Sequence, residues 1–434
     1  MIKLKINDIV DVKCIDVSYN AKGIAKLDKV VFVDNLLTGE EATIKIVGEE
    51  KNYYTGEVIK LLKTSKNRQK PCEHFNECGA CDFSHASLSY EDELKKKIVE
   101  NNLKRIGSID INIDEVISIH KLNYRNKIIF HFAKKDNKYI YGFYKKESHD
   151  IVEIHKCDLI DNKFFLIADL VKNYCNSYDL DITELFIRKN SFDQFNIVIV
   201  LKDIDSLDRK NFINYLKNKE FELNGISLSN KIKDDELFGK DILIYGNESL
   251  NENINDIKYN VSNKSFLQIN HDACELLYNK AIEYADLKEN DIVLDMYCGI
   301  GSITLNIAKK VKKVYGVEIV KDAIKNARYN ALNNNINNAY FECDDSSNFI
   351  NKFTKTNINK VFLDPPRSGL SKCVIESIKK LKPEIIIYIS CDSSTLARDL
   401  KELKEDYIIE KVSICNMFLR TKHVETVCLL ERRN

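Results

Sequence analysis

From about Val261 onward, short apolar runs alternate with amphipathic stretches of helical period, and each run closes on a glycine turn, an acid, a proline pair or a cysteine. The four clearest runs are Ile292-Val293-Leu294-Asp295, Lys313-Val314-Tyr315-Gly316-Val317, Lys360-Val361-Phe362-Leu363 and Glu384-Ile385-Ile386-Ile387-Tyr388-Ile389. Strands spaced by helices in this way wind into a doubly wound parallel sheet. Such a sheet binds its ligands outside the carboxyl ends of its strands, so chemistry is expected where these runs end.

The first run enters the turn Met296-Tyr297-Cys298-Gly299-Ile300-Gly301, and a helix is expected from Ser302 to Lys310. Glycines there let the backbone pass close to a ligand. Glu318 ends the next strand, about 20 residues past the glycine turn, where an acid can accept hydrogen bonds from both ribose hydroxyls. A nicotinamide dinucleotide would use the same elements. The third glycine of that fingerprint is missing, however, because the run reads Gly299-Ile300-Gly301-Ser302-Ile303-Thr304. An adenosyl cofactor without phosphates fits better, and two features support S-adenosylmethionine. Asp344 and Asp345 follow the next strand, placed to meet an adenine amino group, although Asp345 reads equally well as a turn residue. Asp364-Pro365-Pro366-Arg367 follows the run Lys360-Val361-Phe362-Leu363; two prolines remove two donors and project the Asp364 carboxylate into the crevice. In methyltransferases that act on amino groups the residue after the prolines is typically aromatic, so Arg367 points to a different acceptor.

The last of these runs leads into Ser390-Cys391-Asp392, with a helix starting near Ser393. A cysteine beside helix amides is where a lowered thiol pKa is expected, which makes Cys391 the candidate nucleophile. Cys274 and Cys428 read as buried structural cysteines. Glu425 interrupts the apolar strand His423-Val424-Glu425-Thr426-Val427-Cys428-Leu429-Leu430. An ionised carboxylate buried there without a partner costs several kcal/mol, so Glu425 lies at the mouth of the strand or pairs with a cation. Partial desolvation would raise its pKa and suit it to proton abstraction. Together the two residues fit methylation of carbon 5 of uracil: Cys391 adds to carbon 6, Glu425 removes the carbon 5 proton, and Asp364 orients base and cofactor. A uridine stacked in RNA must first be extruded into the pocket.

Ahead of this region, residues 1–63 hold five short strand-like runs separated by turns and read as a small β-barrel. Lys60, Lys63, Lys66, Arg68 and Lys70 come next without an acid, either as phosphate contacts or as a solvated linker. Over the whole chain 66 basic residues balance 66 acidic ones, so local patches must do any nucleic-acid binding. Residues 64–260 read as a central α+β unit whose strand order the pattern does not give, and residues 261–434 as the doubly wound domain. The 13 cysteines are scattered irregularly and argue for metal ligation and catalysis rather than a disulfide framework. Cys72, Cys78 and Cys81 are spaced Cys-x5-Cys-x2-Cys, one short of a four-thiolate site, and Cys157 is the chosen fourth ligand. An all-cysteine iron–sulfur cluster is preferred because Cys-x5-Cys does not match zinc-ribbon knuckles; zinc is the alternative. Met1-Ile2-Lys3-Leu4-Lys5-Ile6-Asn7-Asp8 is no secretory leader, and no run reaches the roughly 18 uncharged apolar residues of a membrane helix. A cytoplasmic monomer with no membrane partner is expected.

These motifs make the chain resemble, over nearly its whole length, the RNA uracil-5-methyltransferases that carry an N-terminal TRAM domain and a [4Fe-4S] cluster, the type that methylates 23S ribosomal RNA. The resemblance is carried by Cys72, Cys78, Cys81 and Cys157; by Phe266-Leu267-Gln268-Ile269-Asn270; by Asp295 to Gly301; by Gly316-Val317-Glu318; and by Asp364 to Arg367, Ser390-Cys391 and His423 to Thr426. It implies that Gln268, Tyr297, Glu318 and Asp364 bind S-adenosylmethionine, that Cys391 is the nucleophile and that Glu425 is the base. Ser302 and Asp345 stand where family members vary, and Gly79-Ala80 stands where the family often has two glycines. Barrel and cluster together favour ribosomal over transfer RNA as partner. A non-catalytic iron–sulfur RNA-binding factor and a nicotinamide- and iron–sulfur-dependent oxidoreductase are the rival readings.

Overall fold

The computed structural model describes residues 4–217, 219–230, 239–345 and 357–433. Its N-terminal sheet has six strands rather than five. Ile9–Lys13 pairs with Glu41–Glu49, and the chain continues into Asp16–Val17, which pairs with Gly23–Lys26. One nearly continuous segment therefore joins both edges of the sheet and closes it, leaving no long open edge. Asp16–Val17 is too short for a period to reveal, which is why the sequence shows five runs. Val12, Val31, Ile44, Ile46 and Tyr54 fill the interior. The basic tether is only partly free. Arg68 meets the buried Glu40 in a two-pronged ion pair, Nε to Oε1 and Nη2 to Oε2 both at 2.6 Å, and so fastens the tether to the barrel.

The central sheet runs in the order Ile151–Glu153, Lys138–Tyr144, Lys127–Lys135, Ile182–Lys189, Gln194–Leu201, Glu222–Ser229 and Asp241–Gly246. Its pairs are antiparallel except Gln194–Leu201 with Glu222–Ser229, which the helix Arg209–Leu216 connects. Phe130, Leu185 and Ile197 on one face pack against Phe164, Ile167 and Val171 of the helix Asn162–Ser177. Each such fully buried side chain contributes about 1.5–3 kcal/mol of transfer free energy.

The last sheet has eight strands among the described residues, in the order Ala339–Cys343, Lys313–Glu318, Ile292–Met296, Lys360–Leu363, Ile385–Ser390, Glu425–Arg432, Tyr407–Cys415 and Glu115–Ile117. The first five are parallel, and Glu425–Arg432 runs antiparallel to Ile385–Ser390. Helices cover both faces: Leu277 and Ile303 lie on one side, Val374 and Leu396 on the other. The segment 88–117, expected in the central unit, joins this sheet. The helix Leu88–Arg105 packs Val99 and Leu103 against Leu396 and Leu400, and Glu115–Ile117 pairs with Tyr407–Cys415. Pairing across some 300 residues leaves no local signature in the sequence. No helix among the described residues is long and apolar enough to cross a membrane.

Candidate active site

The strand Ile292–Met296 delivers the chain into the glycine turn, where Tyr297, Gly299 and Gly301 all have positive φ. For a bulky side chain such as Tyr297 that backbone is costly, and strain of this kind persists where the surroundings over-determine it. At Gly301, φ is +82° and a Cβ would stand 3.0 Å from the Phe341 ring, so glycine alone fits. The Glu318 carboxylate is bound beside this turn by two amides, Gly299 N at 3.3 Å and Val320 N at 2.9 Å. The half-buried Asp344 donates its amide to the Glu318 carbonyl at 3.2 Å, while Asp345 is exposed one residue on. Ser302 opens the helix Ser302–Ala308. Its hydroxyl lies 3.0 Å from the Tyr278 hydroxyl, and its carbonyl accepts from Tyr259. Gln268 is buried, with its carbonyl held by Asn126 at 3.0 Å.

Asp364 comes just after the strand Lys360–Leu363. Burial pushes its carboxyl up to about 7. Burial likewise raises Asp295 to about 7, with further pushes from Asp364 and Glu318, against a hydrogen bond from Thr304. Three strand ends thus bring the carboxylates of Asp295, Glu318 and Asp364 within electrostatic reach of Asp295.

Cys391 stands one residue beyond Ser390, which pairs with Thr426; Glu425 precedes Thr426 on the antiparallel strand, so the thiol and the carboxylate are cross-strand neighbours. Glu425 is raised to about 8, by burial first and by the charge of Asp364, against the pull of Arg367. Its Oε2 has no hydrogen-bond partner. The expectation of a lowered Cys391 pKa is overturned: burial pushes the thiol up to about 11, Glu425 and Asp364 add to the push, and only Arg367 and a backbone hydrogen bond pull back. The helix amides that were to depress it are taken by Asp392, whose carboxylate accepts from Ser394 N and Thr395 N, both at 2.9 Å.

Arg367 is held in place by residues that sequence reasoning missed. Its carbonyl accepts from Thr395, Ser368 O from Arg398, and the Leu370 amide donates to the fully buried Asp399, which also takes the Tyr388 hydroxyl at 2.7 Å. A fully apolar strand containing one tyrosine was the only signal that a buried acceptor stood nearby.

Cys72, Cys78, Cys81 and Cys157 are all free thiols, buried or half-buried. Burial raises Cys78 and Cys81, and raises Cys157 to about 11; charge on the other thiols of the set adds to each, and Arg125 opposes all three. Four thiols within electrostatic reach of one another, three of them also within reach of one guanidinium, have the chemistry of an all-thiolate ligand set. Among the described residues no group of three or more His, Cys, Asp or Glu side chains is placed to hold a metal ion. A four-iron cluster takes one thiolate at each iron and so keeps its thiols apart.

Beside the thiols opens a cleft of about 740 Å³ between barrel, central sheet and the loop before Glu425. Lys22, Arg125, Lys145, Lys146 and Lys422 line it against three carboxylates, and Tyr144, its ring stacked on His131 at 3.9 Å, lines it too. Cations with an aromatic face suit a nucleic-acid strand.

Known proteins show the same layout. The family model for tRNA (uracil-5-)-methyltransferase matches residues 89–433 and that for the TRAM domain residues 3–59. RNA methyltransferases named from Clostridium tetani and Bacillus cereus are each 34% identical to the chain, the first over 94% of this chain and 93% of its own length, the second over 98% and 97%. The crystal structure of the Pyrococcus abyssi tRNA (uracil-54, C5)-methyltransferase with S-adenosyl-L-homocysteine shares the fold, at a TM-score of 0.77 and 24% identity over 96% of this chain and all of that one. Fold and matches together define an enzyme that transfers a methyl group from S-adenosylmethionine to RNA. Within that class the chain belongs to the tRNA (uracil-5-)-methyltransferase family, with a TRAM domain at its front.

Proposed function

We propose that this enzyme methylates carbon 5 of one specific uridine in 23S ribosomal RNA, in the cytoplasm, through a covalent intermediate on Cys391. What supports the reading above all is the register that sets that thiol across from the buried Glu425, one of whose carboxylate oxygens has no hydrogen bond. Uracil carbon 5 is too weak a nucleophile to take a methyl group from a sulfonium. Addition of the Cys391 thiolate to carbon 6 pushes electron density onto carbon 5. S-adenosylmethionine, when bound, supplies the electrophilic methyl group. Glu425 then takes the carbon 5 proton; that electron pair re-forms the ring double bond as the carbon–sulfur bond breaks and the thiolate returns. Glu318 would bind the ribose, Gln268, Tyr297, Ser302 and Asp345 other parts of the cofactor, and Asp364 the base and cofactor at their meeting point. Arg367, which lowers both Cys391 and Glu425, favours the ionised forms that the chemistry uses.

We assign RNA binding to the barrel, residues 1–63, and to the basic cleft beside it, a structural [4Fe-4S] cluster on Cys72, Cys78, Cys81 and Cys157 to the central region, 64–260, and catalysis to residues 261–434. Protein isolated without oxygen should carry iron and acid-labile sulfide at about four each per chain. Cys81→Ser should lower both, and one equivalent of zinc in place of iron would remove the cluster from this account.

Transfer RNA is the second reading, favoured by the similar fold of the Pyrococcus abyssi enzyme. Transcripts of 23S ribosomal RNA and of transfer RNA containing 5-fluorouridine separate the two, because fluorine cannot leave carbon 5 as a proton and the adduct is trapped. Trapping on the ribosomal transcript is expected. Trapping on transfer RNA alone would move the substrate; trapping on neither would end the covalent mechanism.

A further inference from the structure

The carboxylate of Glu425 has one oxygen without any hydrogen bond, so its aim depends on the backbone that carries it. That backbone is gripped from both sides. Cys415, its cross-strand partner, is succeeded by Asn416, and residues 416–424 form the loop that leads back to Glu425.

Helix Leu88–Arg105 holds the near end. Glu91 and Lys95, both fully buried, pair at 2.8 Å. Lys95 Nζ donates to Asn416 Oδ1 at 2.6 Å and to Phe418 O at 3.0 Å, and Asn416 Nδ2 donates to Glu91 Oε1 at 3.2 Å. Both Glu91 oxygens accept the Arg420 amide, each at 3.0 Å. Arg420 has φ +71°, a conformation that a non-glycine residue keeps only where its surroundings enforce it. The far end is held by the segment just after Cys81. Asp82 N and Phe83 N donate to Arg420 O at 2.7 and 2.9 Å, and Asp82 Oδ2 accepts the Lys422 amide at 2.8 Å. Two charges with no exposure are costly to bury, and here nearly every polar atom of the pair points at this loop.

We propose that Glu91 is a positioning residue for Glu425, acting with Lys95 and Asp82 through the loop 416–424. The inference rests on Glu425 being the base. It makes the thiol segment, the first helix and the base one mechanical unit, so that damage to the segment around Cys81 is felt at proton removal.

The experiment is a single turnover with substrate RNA and a radiolabelled methyl group, reading covalent adduct and released product separately in the full-length enzyme. In Glu91→Gln, release should fall about a hundredfold, the cost of roughly an ångström of misplacement, while adduct formation changes by less than about threefold. Equal loss of both steps, or native release, would overturn the inference. Should Glu91→Gln not fold, Asp82→Ala decides: it removes the Lys422 contact without stranding a buried charge. It should slow release selectively, and Asp82→Asn, which keeps an acceptor, should restore it; native release in Asp82→Ala would sink the proposal. Failure of the native enzyme itself to form adduct on fluorinated RNA would instead sink the assignment of Cys391 and Glu425.

Discussion

Cys391→Ala is expected to reduce methyl transfer by on the order of a millionfold, the loss seen when a covalent catalyst loses its nucleophile. The fold should survive. The thiol is only half-buried and, with its pKa raised to about 11, is neutral at pH 7, so its removal strips no charge from the site. RNA affinity, measured by filter binding, should be unchanged, because the cations lining the basic cleft are untouched. The contrast is Cys428, which is fully buried in the adjacent strand. Cys428→Ala should cost about 1–2 kcal/mol of stability, as a small core cavity does, and leave methylation intact once the protein is folded. If Cys391→Ala kept more than about a thousandth of native turnover, chemistry without covalent attachment would have to be considered.

How much of the fold and site was legible in the chain depends on range. The carboxyl ends of the parallel strands were readable because each run ends on a chemically loaded residue: Glu318, Asp364, Cys391. The antiparallel strand carrying Glu425 was readable for the opposite reason, a charge where an apolar run tolerates none. What the sequence hid was long-range. Glu91 and Lys95 look like an ordinary surface i,i+4 pair on a charged helix, yet both are fully buried against a loop 325 residues away. Asp399 sits in a charged helix and ends up wholly buried under the Asp364-to-Leu370 segment. The expected depression of the Cys391 thiol failed because burial, with the charges of Glu425 and Asp364, pushes it up, while Asp392 caps the helix whose amides were to oppose that. Arg68, counted with the phosphate-seeking cations, was already committed to Glu40.

Glu425→Gln should stop the reaction one step later than Cys391→Ala. The amide matches the carboxyl in shape and mimics its protonated form, which predominates below about 8 in the folded protein, so the variant should fold at least as stably as the native chain at pH 7. Thiol addition and methyl transfer need no base at carbon 5, so RNA should become joined to protein and carry the labelled methyl group. Release should fall about 10²–10⁴-fold, the usual worth of a positioned general base. On a denaturing gel the label then runs with the protein, whereas in Cys391→Ala no label is transferred at all. The pH dependence supplies a second reading. Because burial holds Glu425 above its ordinary value, its ionised form is lost as pH falls through about 8. Native release should therefore drop about tenfold per unit below that point, while the glutamine variant, with nothing to titrate there, should be flat. A Glu425→Gln enzyme that releases product within about threefold of the native rate, or keeps the native slope, would place the base elsewhere, and Asp364, raised by burial and acting on Glu425, is the carboxylate to test next.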